Sequence, residues 1–103
     1  MDYLELNGKK YLQVTLHWMD IAGDSTTTYS ENFEEMECAH IVTLGYLYDT
    51  FTKNGETYVR TFSSYEIAST PSFGDRNVFP LNVFTRESRQ IITESMQRCE
   101  ENV

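Results

Sequence analysis

A mainly β, α+β fold is predicted: a small, strongly bent antiparallel sheet or partly open SH3-like barrel, with a short inserted helix and a C-terminal helix. Three observations lead there. Residues alternate with period two between Tyr11 and Trp18, Asn-Gly pairs occupy positions 7–8 and 54–55 beside β-like stretches, and Ala39 to Phe51 is a long run rich in Ile, Val, Thr, Tyr and Phe. A plain three- or four-stranded sheet with one packed helix is the rival arrangement. The 103 residues provide one domain, 1–103, with a modest core.

Tyr3 to Leu6 is a short β-like stretch, and Asn7-Gly8 after it favours a tight hairpin turn. Beyond the turn, Leu12, Val14, Leu16 and Trp18 alternate with Tyr11, Gln13, Thr15 and His17, so the Leu/Val/Leu/Trp face is the buried one. Asp24 to Tyr29 is a polar Ser/Thr-rich loop. Ser30 is placed to cap a short helix from Glu31 to about Glu37, with Glu31, Glu34 and Glu35 outward and Phe33 and Met36 inward. Two turns of helix are unstable alone, so this one is expected to lean on the sheet.

Both faces of Ala39 to Phe51 carry apolar residues, which predicts a central or strongly curved strand with a bend or bulge at Gly45. Lys53-Asn54-Gly55-Glu56 reads as a hairpin turn into a strand from Thr57 to Ser63, with Tyr58, Arg60 and Phe62 on one side. Ser69 to Asp75 is a connection containing Pro71 and Gly74, and Asn77 to Phe84 is a strand kinked or held at an edge by Pro80. Thr85 then caps a terminal helix. Its apolar stripe is Ile92, Met96 and Cys99, widened by Ile91, and Glu100 to Asn102 is expected to fray.

The formal charge is -8, from 8 Lys and Arg against 16 Asp and Glu. Free nucleic acid and anionic membranes are poor ligands for such a chain, because affinity for phosphate comes mainly from cationic side chains. The charge is also uneven. Between Tyr11 and Thr52 there is no Lys or Arg, while Asp20, Asp24, Glu31, Glu34, Glu35, Glu37 and Asp49 all fall there. One pole of the fold is therefore expected to be anionic. Two cysteines, Cys38 and Cys99, make no disulfide framework, although one bridge between them is formally possible, and no run approaches the roughly 18 apolar residues of a membrane span. With no basic leader at the N-terminus, these features predict a reducing, cytoplasmic location.

His17, Cys38, His40 and Cys99 are the soft-ligand residues, but no paired CxxC or HxxxC spacing accompanies them, so no metal site and no cofactor are expected. Cys38 reads as a buried thiol at the helix-to-strand junction. The carboxylates are plentiful, yet nothing in the sequence places two of them in a pocket, and phosphate-loop and dinucleotide fingerprints are absent. No enzymatic activity is expected. The candidate interface comprises Trp18, Asp20, Tyr29, Glu31, Phe33, Glu34, Glu35, Glu37, Tyr46 and Tyr48. Trp18 reads either as core packing or as an exposed aromatic anchor. Asp20 reads either as a cap for the following loop or as an interface carboxylate.

Trp18-Met19-Asp20, a short helical segment, and then Ala39 to Leu47 ending in Thr43-Leu44-Gly45-Tyr46-Leu47 resemble a class of small, uncharacterised bacteriophage accessory proteins. Their return strand and Pro-containing strand correspond to Tyr58-Val59 and Phe79-Pro80, and the similarity covers roughly residues 12 to 92. The chain departs from that pattern in a longer Ser64 to Gly74 connection and a longer C-terminal segment. The resemblance implies a viral origin, a small barrel-like body and a role in modulating the host. It implies no activity.

The function expected is a noncatalytic viral accessory protein that binds a host or viral protein and modulates it, including by inhibition. An acidic nucleic-acid mimic that blocks a nucleic-acid-binding enzyme is the second reading. A structural component that self-associates, as a homo-oligomer, through sheet edges or the C-terminal helix is the third.

Overall fold

The computed structural model describes residues 2–101, the side chains of residues 98–101 apart. Its elements are β1 (Tyr3–Leu6), β2 (Lys9–Asp20), α1 (Ser30–Glu34), β3 (Ala39–Lys53), β4 (Glu56–Phe62), β5 (Ser64–Glu66), β6 (Ser72–Gly74) and β7 (Asn77–Pro80). A 3-10 turn at Leu81–Val83 and α2 (Arg86–Glu101) follow. One sheet has the order β1-β2-β3-β4-β7, antiparallel throughout, and β5 pairs with β6 in a second, two-stranded sheet. The five-stranded sheet is open, with β1 and β7 at opposite edges and not paired with each other, so of the two expected forms it is the antiparallel sheet and not a closed barrel.

Both Asn-Gly pairs form their turns. Asn7 and Gly8 have φ of 48° and 83°, Asn54 and Gly55 have 53° and 79°, the left-handed pair that matches strand twist in a tight hairpin. The β2 alternation also holds. Leu12, Val14 and Leu16 are buried in one core cluster with Leu47, Val59, Phe79, Phe84 and Ile92, and Trp18, Leu81, Val83 and Met96 pack against it. That face is covered by α2. The chain entering α2 is tied to β2 through Thr85 N–H to the His17 carbonyl (2.9 Å) and His17 N–H to Ser88 Oγ (2.8 Å). These bonds satisfy an edge of β2 that would otherwise stand unpaired.

The opposite face holds a second cluster of Leu6, Tyr11 and Phe62, with Leu4, Tyr46, Tyr65 and Phe73 against it. Tyr65 and Phe73 belong to the β5–β6 hairpin, which therefore roofs the lower half of this face. The expected plain connection at Ser69 to Asp75 is corrected by that hairpin. Strands of three residues offer a single inward side chain each, too few for alternation to show.

Other corrections have physical causes. The bulge lies not at Gly45 but between Leu47 and Asp49, where Tyr48 is the extra residue. Gly45 stays in register opposite Val14, and its role is close approach: a Cβ there would stand 2.6 Å from the Phe62 carbonyl oxygen. The strand predicted from Asn77 to Phe84 ends at Pro80, whose missing N–H stops the ladder, and continues as the 3-10 turn. β7 is an edge strand. Along α2, Ile92 is buried but Ile91 is 40 % exposed, so the stripe is narrower than expected. Cys99, the expected third member, lies outside the described side chains, and the fraying expected up to Asn102 lies partly outside the described residues.

Candidate functional site

β2 and β3 stay paired as far as Asp20 opposite Ala39, and the chain between them makes an excursion from Ile21 to Cys38. Every residue from Met19 to His40 is exposed. This arm carries large apolar side chains that touch little: Ile21 is 86 %, Tyr29 83 % and Phe33 67 % exposed, with Met36 also in solvent. Among the described residues its hydrogen bonds are all local. Asp24 Oδ1 accepts from the Thr26 N–H (2.9 Å) and hydroxyl (2.7 Å), and the Asn32 side-chain amide donates to Thr28 Oγ1 (3.1 Å). The hydroxyl and backbone bonds from Thr26 hold the Asp24 carboxyl below its ordinary value.

The helix in the arm is shorter than expected and unsupported. It covers Ser30–Glu34, with Tyr29 as its N-cap and no side-chain cap bond, because Ser30 is the first helical residue and not the capping one. Phe33 and Met36 do not face inward, since no sheet surface lies beneath them. Glu31 and Glu34 lie on the helix, and Glu35 and Glu37 follow it, all exposed. The expected buried thiol is corrected as well: Cys38 is exposed, because the junction it occupies belongs to the arm.

An apolar strip continues from the arm along the open half of the sheet. Met19, Val42 and Leu44 are 41 %, 48 % and 68 % exposed, and the cross-strand register puts them on one face with His17 and His40. His17 Nδ1 lies 2.9 Å from His40 Nε2, a distance at which one ring donates an N–H and the other ring's nitrogen accepts the hydrogen bond. Among the described residues no three His, Cys, Asp or Glu side chains are grouped to hold a metal ion.

Trp18 and Asp20 separate at the end of β2. Trp18 packs against the main core, close to Phe79, and its indole N–H donates to Thr43 Oγ1 at 2.9 Å. Asp20 is exposed and paired in the ladder with Ala39, while the loop bond expected of it is made by Asp24. Tyr46 is half-buried against Phe62 in the second cluster. Tyr48, freed by the bulge, stacks on Tyr11 with ring centroids 5.8 Å apart.

A cleft of about 660 Å³ opens between the two sheets beside Tyr48. Phe62 and Phe73 give it an aromatic floor, and Arg60, Arg76 and Asn77 supply donors. Arg60 is held by Asp49 through bonds of 2.6 and 2.5 Å, with its guanidinium 4.7 Å from the centre of the Phe51 ring. The Asp49 bond keeps Arg60 charged by raising its proton affinity further. Sequence reasoning placed only Tyr48 here. Arg60 and Phe62 were legible as same-side residues of β4, but Phe73, Arg76 and Asn77 sat in or beside the unread hairpin. No protein-family model, curated protein or solved structure matches the chain.

Proposed function

We propose that this chain is a noncatalytic viral accessory protein, acting in the host cytoplasm by docking its acidic arm and the adjoining apolar strip onto a protein partner. One observation carries the reading: an arm exposed over its whole length presents Ile21, Tyr29, Phe33 and Met36 among Asp20, Asp24, Glu31, Glu34, Glu35 and Glu37, with no cation. Burying such side chains is worth roughly 1.5–3 kcal/mol each, and leaving them all in water is what an unoccupied interface looks like. The carboxylates steer a cationic surface during encounter, and the aromatic side chains set the lifetime of the complex.

The chain with residues 21–38 replaced by Asn-Gly provides the test. Intact and shortened proteins are used as bait in the same bacterial lysate. The expected result is one stoichiometric partner retained by the intact chain alone. A partner held equally by the shortened chain would sink the reading. Within the complex, Tyr29→Ala and Phe33→Ala are each expected to raise Kd about tenfold to a hundredfold, as anchor residues do.

The arm's unbroken negative charge also favours the second reading, a decoy for a nucleic-acid-binding enzyme. That reading expects Glu31→Lys, Glu34→Lys and Glu35→Lys together to abolish binding, and duplex DNA to compete. An ordinary interface loses association rate only, because these groups steer more than they anchor. The helix of Ser30–Glu34 limits the decoy, since few of the carboxylates stand on a regular element.

A further inference from the structure

The arm needs a receiving surface with cationic and aromatic groups side by side, and the same chain owns one. The inter-sheet cleft is lined by Tyr48, Phe62 and Phe73 together with Arg60 and Arg76, and among the described residues no carboxylate belongs to its lining, Asp49 standing behind Arg60. That composition is unusual in a protein of charge -8. Arg60 is already matched by Asp49, so its charge is largely answered; Arg76 makes no salt bridge among the described residues and supplies the unanswered one. The cleft, about 660 Å³ and open on one side, has room for one or two aromatic side chains.

We propose that this cleft receives the acidic arm of a second copy of the chain, so that copies associate head to tail; the idea rests on the reading of the arm as a docking element. Tyr29 and Phe33 enter beside Tyr48 and Phe73, above the buried Phe62, and the carboxylate of Glu31 or Glu34 meets Arg76. Charge selects this mode over its alternatives. Two arms pairing with each other would bring their glutamates together without a counter-charge, which opposes a symmetric arm-to-arm dimer. Insertion into the chain's own cleft is opposed by reach while Ser30–Glu34 stays helical, because Phe33 then stands at most about 18 Å from Ala39. The base of the arm is Ala39, whereas the cleft begins near Tyr46 opposite Phe62, seven residues and about 23 Å further along β3. The arm, exposed throughout, does not fold back over that length.

A contact between two different surfaces of the same chain is heterologous. It leaves one free arm and one free cleft at the ends of any open chain, and so builds rings or filaments, not closed pairs. Sedimentation of the full chain over a wide concentration range at low salt measures this. Larger species should grow with concentration and recede as added salt shortens the Debye length from about 30 Å at 0.01 M to about 8 Å at 0.15 M.

Two variants then separate the surfaces. Tyr29→Ser with Phe33→Ser disables the arm, and Arg76→Glu disables the cleft. All three side chains are exposed, so folding is preserved, and Arg76→Ala serves as a milder control of the cleft. Each variant alone should be monomeric, with association weakened at least about tenfold. Mixed, they should form a one-to-one complex and nothing larger, because only one intact arm and one intact cleft remain. A wild-type chain that stays monomeric throughout overturns the proposal, as does self-association that survives Arg76→Glu, or a mixture that fails to pair. None of those results touches arm-dependent capture of a foreign partner, which the shortened chain tests separately.

Discussion

At Gly45 the backbone of β3 passes so near Phe62 that a single methyl group would stand 2.6 Å from its carbonyl oxygen. The obstacle is main chain, so no rotamer change relieves it. Gly45→Ala is expected to destabilise the fold by about 1–3 kcal/mol, as overpacking does, read as a lower urea midpoint with an unchanged m-value. Tyr11 offers a second single-residue test. Burial, and then the neighbouring Tyr48 phenol, raise its proton affinity above the ordinary value of 10.0. A group whose folded value is raised contributes stability that is complete below the unfolded value and lost as pH rises through the folded one. Stability should therefore fall above pH 10, and Tyr11→Phe should flatten that fall; equal alkaline curves for the two proteins would remove Tyr11 as its cause. At this scale the two Asn-Gly turns were fully legible, since positive φ at adjacent residues is a local demand. Phe33 and Met36 were misread because helical spacing tells which residues share a face, not whether anything lies beneath it.

Among the elements, the arm and α2 behave in opposite ways. α2 is fastened twice to β2 through His17 and buries Ile92 in the main cluster. Among the described residues the hydrogen bonds of the arm are all within the arm itself. Because Asp20 pairs with Ala39, the Asn-Gly replacement of residues 21–38 closes β2 and β3 with the same turn that the chain already uses twice. The shortened protein should keep the thermal midpoint of the intact one or exceed it slightly, since a long loop is exchanged for a short one. A fall of many degrees would mean that the arm supports the sheet. The β5–β6 hairpin escaped the sequence reading although it forms the wall of the cleft, because its three-residue strands carry too little pattern to be seen.

Over the whole molecule, charge and shape reinforce each other. The radius of gyration is 17.0 Å, against about 13 Å for a compact chain of some 100 residues, and the extents are 56 × 28 × 28 Å. A long body with its anionic segment on an exposed arm gives an approaching cation a defined direction. Small-angle scattering on the shortened chain should show a modestly smaller radius of gyration, since the 15 residues of β3 span about 46 Å of the 56 Å length by themselves; no change would mean that the arm does not extend the body. The uneven charge behind this picture was readable directly, because a stretch without Lys or Arg stays so however it folds.

From the sequence alone came the strand alternation of β2, the two hairpin turns, the terminal helix and an unbroken acidic segment. Each follows from interactions within a few residues or from composition. Only the tertiary structure decided that the acidic segment stands clear of the body, that the side of β3 bearing Val42 and Leu44 is open, and that Tyr48, Phe62, Phe73, Arg60 and Arg76 converge on one cleft. Those outcomes depend on which faces α2 and the β5–β6 hairpin cover. Burial is settled between residues far apart in the chain, and period-two spacing names two faces of a strand without choosing which of them meets water.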